Sequence, residues 1–179
     1  MANTLKMKGT FGMKQTFNVA STYSTTTGLY APDATWYAGY LFGIGTASTS
    51  IADAIVVAIS ASGSAVMGCA MEDSADATTA VAGMAQPSGS KVTLLHGHSV
   101  FEIVNGSTTK CYEQGSTLGN MESASLMDLV YASAAGKWTD LLSDAASGAQ
   151  TNIPPLPLGF VTKAPTAANS YTFGISMFG

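Results

Sequence analysis

His96 and His98 are the residues whose types and spacing first suggest chemistry, because imidazole is the commonest metal ligand and a frequent general base. They lie two residues apart in a strand-like segment, so both rings would point to one face. Glu102 would share that face and offer a third ligand. Since this spacing matches no metal site, we interpret the pair as strand histidines that are hydrogen-bonded or solvated.

The acidic cluster Glu72, Asp73 and Asp76 is a second candidate, because closely spaced carboxylate oxygens are typical calcium ligands. The cluster lacks the glycine and the distal glutamate of an EF-hand loop. Asp and Ser also initiate turns by bonding to nearby backbone amides. We therefore predict a polar turn that leaves the strand ending near Met71.

Cys69 and Cys111 are the remaining reactive side chains. Their spacing matches no zinc pattern, and two cysteines are too few for a small secreted domain held by disulfides. Because both lie in apolar segments, we expect two reduced, buried thiols. The chain also contains no glycine-rich phosphate loop and no Gly-x-Ser-x-Gly nucleophile motif. Without a catalytic constellation, we predict no enzyme activity, no cofactor and no metal.

The composition favours contact with other proteins. Of 179 residues, 46% are apolar types but only 10% are charged, far below the quarter that is usual in soluble domains. Charged groups are the ones most depleted from interface cores, since each must be desolvated on association. A poorly charged surface of Ser, Thr, Gly, Asn and Ala therefore suits extensive protein contact.

The charge pattern argues against nucleic acid as a partner. The net charge is −4 and the chain has no arginine, the residue on which DNA and RNA readers rely. Lys6, Lys8 and Lys14 all precede the first acid, Asp33, so a weakly basic amino-terminal segment joins an acidic body. This segment could dock on an acidic partner, or it could be a solvated tail with a few charges.

No membrane span or secretion signal is expected. Between residues 34 and 71 only Asp53 is charged, but glycines and a Ser/Thr cluster interrupt the run, and an Asp in mid-membrane would cost a few kcal/mol. The first ten residues have no apolar segment after their lysines, so we expect a cytoplasmic origin.

The chain divides into an extended amino-terminal arm, residues 1–33, and a β domain, residues 34–179. The arm sustains neither helical nor strand periodicity, although the alternation over 16–19 could make a short strand. In the β domain, residues 54–60 and 65–71 predict a hairpin with its turn at 61–64. A helix over 51–59 competes, because Ile51, Ile55 and Ile59 are four apart, but β-branched density favours strand.

Further strand patterns cover residues 91–104 and 108–113, which the dipeptide Asn105-Gly106 would join as a hairpin. Residues 129–141 repeat the plan of strand, Gly turn and strand, and 121–127 could form a short helical turn. Short strands between turn signals predict an all-β fold, a small antiparallel barrel or sandwich with at most one short helix.

Residues 129–141, followed by the Gly-Phe-Val-Thr-Lys segment and closing strand of 159–175, resemble the head decoration, or cement, proteins of tailed bacteriophages. The resemblance covers about residues 54–179. It implies a small β-tulip-like domain on the outside of the virion, made in the host cytoplasm, that binds the major capsid protein. It also implies a homotrimer at threefold and quasi-threefold sites that holds neighbouring capsid subunits together.

The first 50 residues lie outside this resemblance, and we hypothesise that the arm orders on binding and spans a seam between capsid subunits. Its apolar and basic side chains are then the candidate capsid contacts: Lys6, Lys8, Phe11, Met13, Lys14, Phe17 and Val19.

Two other functions stay open at this point. A tail or head-fibre component would share the composition. A carbohydrate-binding β module could stack sugars on Trp36, Tyr37, Tyr40 and Trp138, although core packing explains these aromatics more simply.

Overall fold

A computed structural model gives the fold, which is all-β with no long helix, as the sequence predicts. The structure describes residues 3–10, 12–19, 21–24, 29–32, 36–44, 55–58, 66–73, 91–115, 119–133, 135–141 and 156–178. Within these ranges no helix combines the length and the hydropathy of a bilayer span. The strands form one six-stranded sheet, one five-stranded sheet and two small ribbons.

The six-stranded sheet has the order β1-β9-β15-β14-β12-β13, and all its pairings are antiparallel. Its strands are β1 (Thr4–Thr10), β9 (Ser99–Val104), β12 (Leu129–Ala132), β13 (Trp138–Thr139), β14 (Gly159–Lys163) and β15 (Thr172–Met177). The closing strands predicted over 159–175 are therefore confirmed.

The five-stranded sheet contains β2 (Met13–Val19), β5 (Leu41–Ile44), β6 (Ile55–Ala58), β7 (Val66–Ala70) and β8 (Lys91–His96). Its pairings run β2-β6-β5-β7-β8 and return from β8 to β2, and only the β2–β6 pair is parallel. The two ribbons pair β3 (Ser21–Ser24) with β4 (Leu29–Pro32), and β10 (Gln114–Gly115) with β11 (Gly119–Asn120).

One hydrophobic core joins the two sheets. Phe101 and Ile175 face each other across β9 and β15 and pack with Leu41, Cys69 and Leu95 of the five-stranded sheet. A second cluster lies inside the five-stranded sheet and includes Phe17, Val19, Trp36, Phe42, Ala70, Val92 and Leu94. β8 therefore buries Leu94 and Leu95 on opposite faces, one in each cluster.

The strand prediction over residues 54–60 is confirmed for β6, and the competing helix is wrong there. The predicted hairpin of 54–60 with 65–71 is also wrong, because β5 lies between β6 and β7 and pairs with both. The turn proposed at 61–64 lies outside the described residues. Sequence adjacency misled the prediction, since an earlier strand inserts between the two.

The long strand predicted over 91–104 is two strands that belong to different sheets. Gly97 has a φ of 77°, a left-handed conformation that glycine adopts freely, and it breaks the strand after His96. Asn105 does not form a hairpin turn. Its side chain donates to the carbonyls of Ile103 and Tyr171, at 3.2 and 3.0 Å, and so holds a loop where a second strand was expected.

The hairpin predicted at 129–141 is confirmed as β12 and β13, with Gly136 at a φ of 69° in the turn. Ser133 fixes this turn, because its amide donates to the Lys137 carbonyl at 2.8 Å and its hydroxyl donates to the buried carboxylate of Glu113. The short helical turn expected within 121–127 is a 3-10 turn over Met121–Ser123, and another lies at Ala167–Asn169.

Candidate functional site

The histidine pair does not form a site on one strand face. His96 ends β8, while His98 is exposed in the bend that follows and Glu102 belongs to β9. The His96 ring instead packs edge-on near Phe17, with ring centroids 6.5 Å apart. Among the described residues, no group of three or more His, Cys, Asp or Glu side chains is placed to hold a metal ion.

The acidic cluster has a structural role in its described part. The buried carboxylate of Asp73 accepts hydrogen bonds from the amides of Ala38 and Asn3, at 2.7 and 3.2 Å. Glu72 accepts from the Thr93 amide at 2.9 Å. Asp76 lies outside the described residues. These carboxylates tie the bend after β7 to neighbouring segments, as the turn interpretation expected.

Both cysteines are free and buried, as predicted. Burial raises the pKa of Cys69 from 9.0 to about 12, and burial also raises the pKa of Cys111. Because the thiolate is the reactive form, neither thiol is prepared for nucleophilic chemistry at neutral pH.

Two of the four aromatic side chains proposed to stack sugars are in the core. Trp36 and Trp138 are 0% exposed, and Trp138 donates its indole N–H to the Gly39 carbonyl at 2.8 Å. Tyr37 and Tyr40 are half-buried and pack edge-to-face at 5.5 Å. Core packing, the simpler explanation, is confirmed for both tryptophans.

Lys110 is the most enclosed cation of the described chain. Its ammonium donates to Glu122 at 2.9 Å and lies 3.8 Å from the centre of the Tyr171 ring. This hydrogen bond is the main cause that lowers the pKa of Glu122 from its ordinary value of 4.5. The Gln114 amide and the Tyr112 hydroxyl also donate to the same carboxylate oxygen, so the cluster is a structural ion pair with added hydrogen bonds.

The residues proposed as arm contacts fall into two groups. Phe17 and Val19 are buried in the cluster inside the five-stranded sheet, so they are unable to contact a partner in this fold. The exposed members are Lys6 and Lys8 on β1 and Met13 and Lys14 on β2, which we call the basic strip. Phe11 lies outside the described residues.

Residues 4–10 and 13–19 of the predicted arm are thus paired strands of the two sheets. Asn3 anchors this segment, because its side-chain amide donates to the carbonyls of Ala38 and Thr109, at 3.0 and 2.6 Å. Its side-chain oxygen accepts from the Gly106 amide at 2.9 Å and the Thr109 hydroxyl at 2.7 Å. All four bonds are buried, and they hold the start of β1 against the β domain.

A surface that the sequence analysis missed lies on the outer face of the six-stranded sheet, where we define an apolar patch. Its members are Leu126, Met127, Leu129, Phe160 and Phe178. Leu129 faces Phe160 across β12 and β14, and the Phe160 and Phe178 rings lie 6.0 Å apart. Leu126 and Met127 are each 66% exposed in the turn before β12.

A signal for this patch was present in the sequence. The core face of β12 and β14 is supplied by Val130 and Val161, so the apolar Leu129 and Phe160 beside them must point the other way. A half-exposed strand normally alternates apolar and polar residues, whereas these strands are apolar on both faces. Apolar residues on both faces of a strand indicate either that both faces are buried or that one of them is a contact surface. Only the tertiary structure distinguishes these two cases.

Away from the patch, the outer face of the six-stranded sheet carries ion pairs. Glu102, on β9, pairs with Lys8 at 3.1 Å and with Lys163 at 3.7 Å. Asp128, within the turn beside the patch, directs its carboxylate to the Ser125 amide at 2.7 Å. The six-stranded sheet therefore carries ion pairs between β1, β9 and β14, and it carries the apolar patch on β12, at Phe160 of β14 and in the flanking segments.

With this geometry in place, comparison of the chain with models of known protein families, with curated proteins and with solved structures finds no match.

Proposed function

We propose that this chain is a structural virion protein that binds the outer surface of a phage capsid shell and cements neighbouring major capsid subunits. It acts as a trimer at threefold and quasi-threefold sites of the capsid exterior, after synthesis in the host cytoplasm. The proposal extends the resemblance of the carboxyl-terminal strands to head decoration proteins.

The observation that carries the proposal is that one β fold presents two exposed surfaces of different chemistry. The basic strip lies on the first two strands, and the apolar patch lies near the opposite edge of the six-stranded sheet. A cement must make at least two contacts, one with the shell and one with a neighbour. An enzyme would instead need titratable groups gathered in a cleft, and here Asp73, Lys110 and Glu122 all serve structural bonds.

The basic strip is the surface that we assign to the shell. Lys6 and Lys14 are exposed, and no ion pair is seen for either among the described residues, whereas Lys8 already pairs with Glu102. Each exposed lysine contributes only about 0.2–1 kcal/mol to an ion pair with a partner. Three copies held together let such weak contacts add up through effective concentration. Attachment through the strip should therefore weaken at high salt.

The first test is to band particles from the source culture on a density gradient and to quantify this chain against the major shell protein by mass spectrometry. A near-stoichiometric amount supports a cement that covers the lattice. A few copies per particle would replace the proposal with a tail or head-fibre component. Absence from particles would overturn the virion proposal and leave the carbohydrate-binding module, for which a glycan array is the direct assay.

Attachment is tested by adding the purified full chain to shells stripped of it and measuring the amount that co-sediments. The double variant K6E/K14E reverses charge on two exposed side chains and should bind at least about tenfold less, because two attractions become repulsions. K91E is the control for each single variant, K6E and K14E, since it changes the charge by the same amount and Lys91 is also exposed but lies on β8, outside the strip. Equal loss in K91E and in the single variants would show that overall charge, rather than the strip, governs attachment.

A further inference from the structure

We propose that a second copy of this chain covers the apolar patch, so that the protein self-associates through the outer face of its six-stranded sheet. The inference deepens the proposed function and rests on it only for the number of copies in the assembly. It assigns the contact between copies to Leu126, Met127, Leu129, Phe160 and Phe178, which no motif singled out.

The area of the patch fits a self-interface. At about 200 Å² for a fully exposed residue of this size, the exposed fractions of Leu126, Met127, Leu129 and Phe178 (66, 66, 44 and 41%) give roughly 400–450 Å², to which the half-buried Phe160 adds. A standard interface covers about 800 Å² on each partner, of which about 56–65% is apolar. The patch thus supplies the whole apolar part of one side of such an interface. The largest exposed apolar patch of a typical monomer measures roughly 300–600 Å² and is often functional, and the area of this patch lies within that range.

The two edge strands of the six-stranded sheet are poorly suited to pairing with a second copy, which leaves the face of the sheet for association. β1 forms one edge and carries Lys6, Lys8 and a register shift between Met7 and Gly9. Lysines and bulges on an edge strand oppose pairing with another sheet, and two copies of β1 side by side would bring lysines together. β13 forms the other edge and is only two residues long. Neither edge suits strand addition by a second copy.

The charges near the patch are compatible with burial against an identical surface. The patch itself contains no ionisable group, and the neighbouring Asp128 carboxylate already accepts the Ser125 amide. Two copies can meet here without burying an ionisable group of the patch itself. An acidic or basic partner would find no complementary charge within the patch, whereas a second copy offers the same uncharged surface.

Met127 adds a backbone observation. Its φ is 71°, in the left-handed region that favours glycine and that a methionine occupies at a cost. Glycine would adopt this backbone conformation at a lower cost than methionine does. The Met127 side chain does add flexible apolar surface, which suits a contact with another protein.

The test is sedimentation velocity of the full chain over a range of concentrations. M127G removes patch surface at a position where glycine suits the backbone, so the monomer should stay folded while self-association weakens about tenfold. L129S should act in the same direction and is a second variant. M13S is the matched control, because Met13 is 64% exposed, close to the 66% of Met127, but lies in the basic strip.

Self-association of the wild type that both patch variants weaken and M13S leaves unchanged would support the inference. A wild type that stays monomeric at every accessible concentration would overturn it, as would patch variants that associate normally. If the wild type is monomeric and M127G loses shell binding, the shell covers the patch, so the inference and the trimer both fail while the virion role stands. If the wild type associates through the patch but never binds shells, the proposed function fails and the inference stands.

Discussion

The anchoring of the amino terminus by Asn3 gives a prediction that separates an integral strand from a detachable arm. N3A removes four buried hydrogen bonds and leaves two carbonyls, one amide and one hydroxyl without this partner. A buried polar group left unsatisfied costs about 1–3 kcal/mol, and water can refill part of the space. We therefore expect the free energy of unfolding to fall by about 3–5 kcal/mol.

The assay is urea unfolding followed by tryptophan fluorescence, because Trp36 and Trp138 are buried in different clusters and report on both. T4A is the matched control, since Thr4 is exposed on the next position, and its effect should stay within about 0.5 kcal/mol. All variants are compared at one protein concentration, because self-association would shift the apparent stability.

Hydrogen exchange at the β1 amides completes the experiment. If N3A lowers the global stability as expected, β1 unfolds together with the β domain. Deletion of residues 1–30 would then unfold the protein rather than release a folded trimer, so point variants are the proper test of attachment. A loss below about 1 kcal/mol would refute this reasoning. Fast exchange confined to β1, with global stability retained, would return the segment to the arm predicted from the sequence.

Two further predictions concern the cysteines and the ion pair. Cys69 and Cys111 should resist a thiol reagent at neutral pH until the chain unfolds. Since burial raises both pKa values above 9.0, their contribution to stability should fall as the pH rises above about 9. Rapid labelling of the native protein would contradict this. The lowered pKa of Glu122 stabilises the fold above pH 4.5, and this contribution is lost as the pH falls through that pKa. As the pH falls below 4.5, the urea midpoint of E122Q should therefore decrease less than that of the wild type. An equal decrease of the midpoint with pH in both proteins would count against a role for the Lys110 ion pair.

The local pattern was enough to predict the all-β class and several elements. The hairpin at 129–141 was predictable because glycine in the turn and the apolar residues around it act over short range. The burial of both cysteines and both tryptophans followed from their apolar surroundings. The order of the strands was not predictable, since the pairing of β5 with both β6 and β7 is decided by contacts distant in sequence.

The candidate surfaces were likewise predictable from the sequence only in part. Lys6, Met13 and Lys14 were predicted as contact residues from their types and are exposed, but Phe17 and Val19 were predicted in the same way and the fold buries them. Apolar character alone does not say whether a side chain lies in the core or on a surface. The patch around Leu129 and Phe160 exists because strands distant in the chain form one six-stranded sheet, and these two residues lie on the face opposite to the core residues Val130 and Val161.

What the sequence by itself determined is the class of fold, the scarcity of charge and the absence of a known catalytic motif, because these depend on composition and on residues close in the chain. What only the tertiary structure decided is which apolar residues remain exposed and that β1 is fixed within a sheet. Those outcomes depend on long-range pairing and on buried hydrogen bonds such as that of Asn3 with Thr109, 106 residues away. Neither has a local signature, because the partners meet only when the chain has folded.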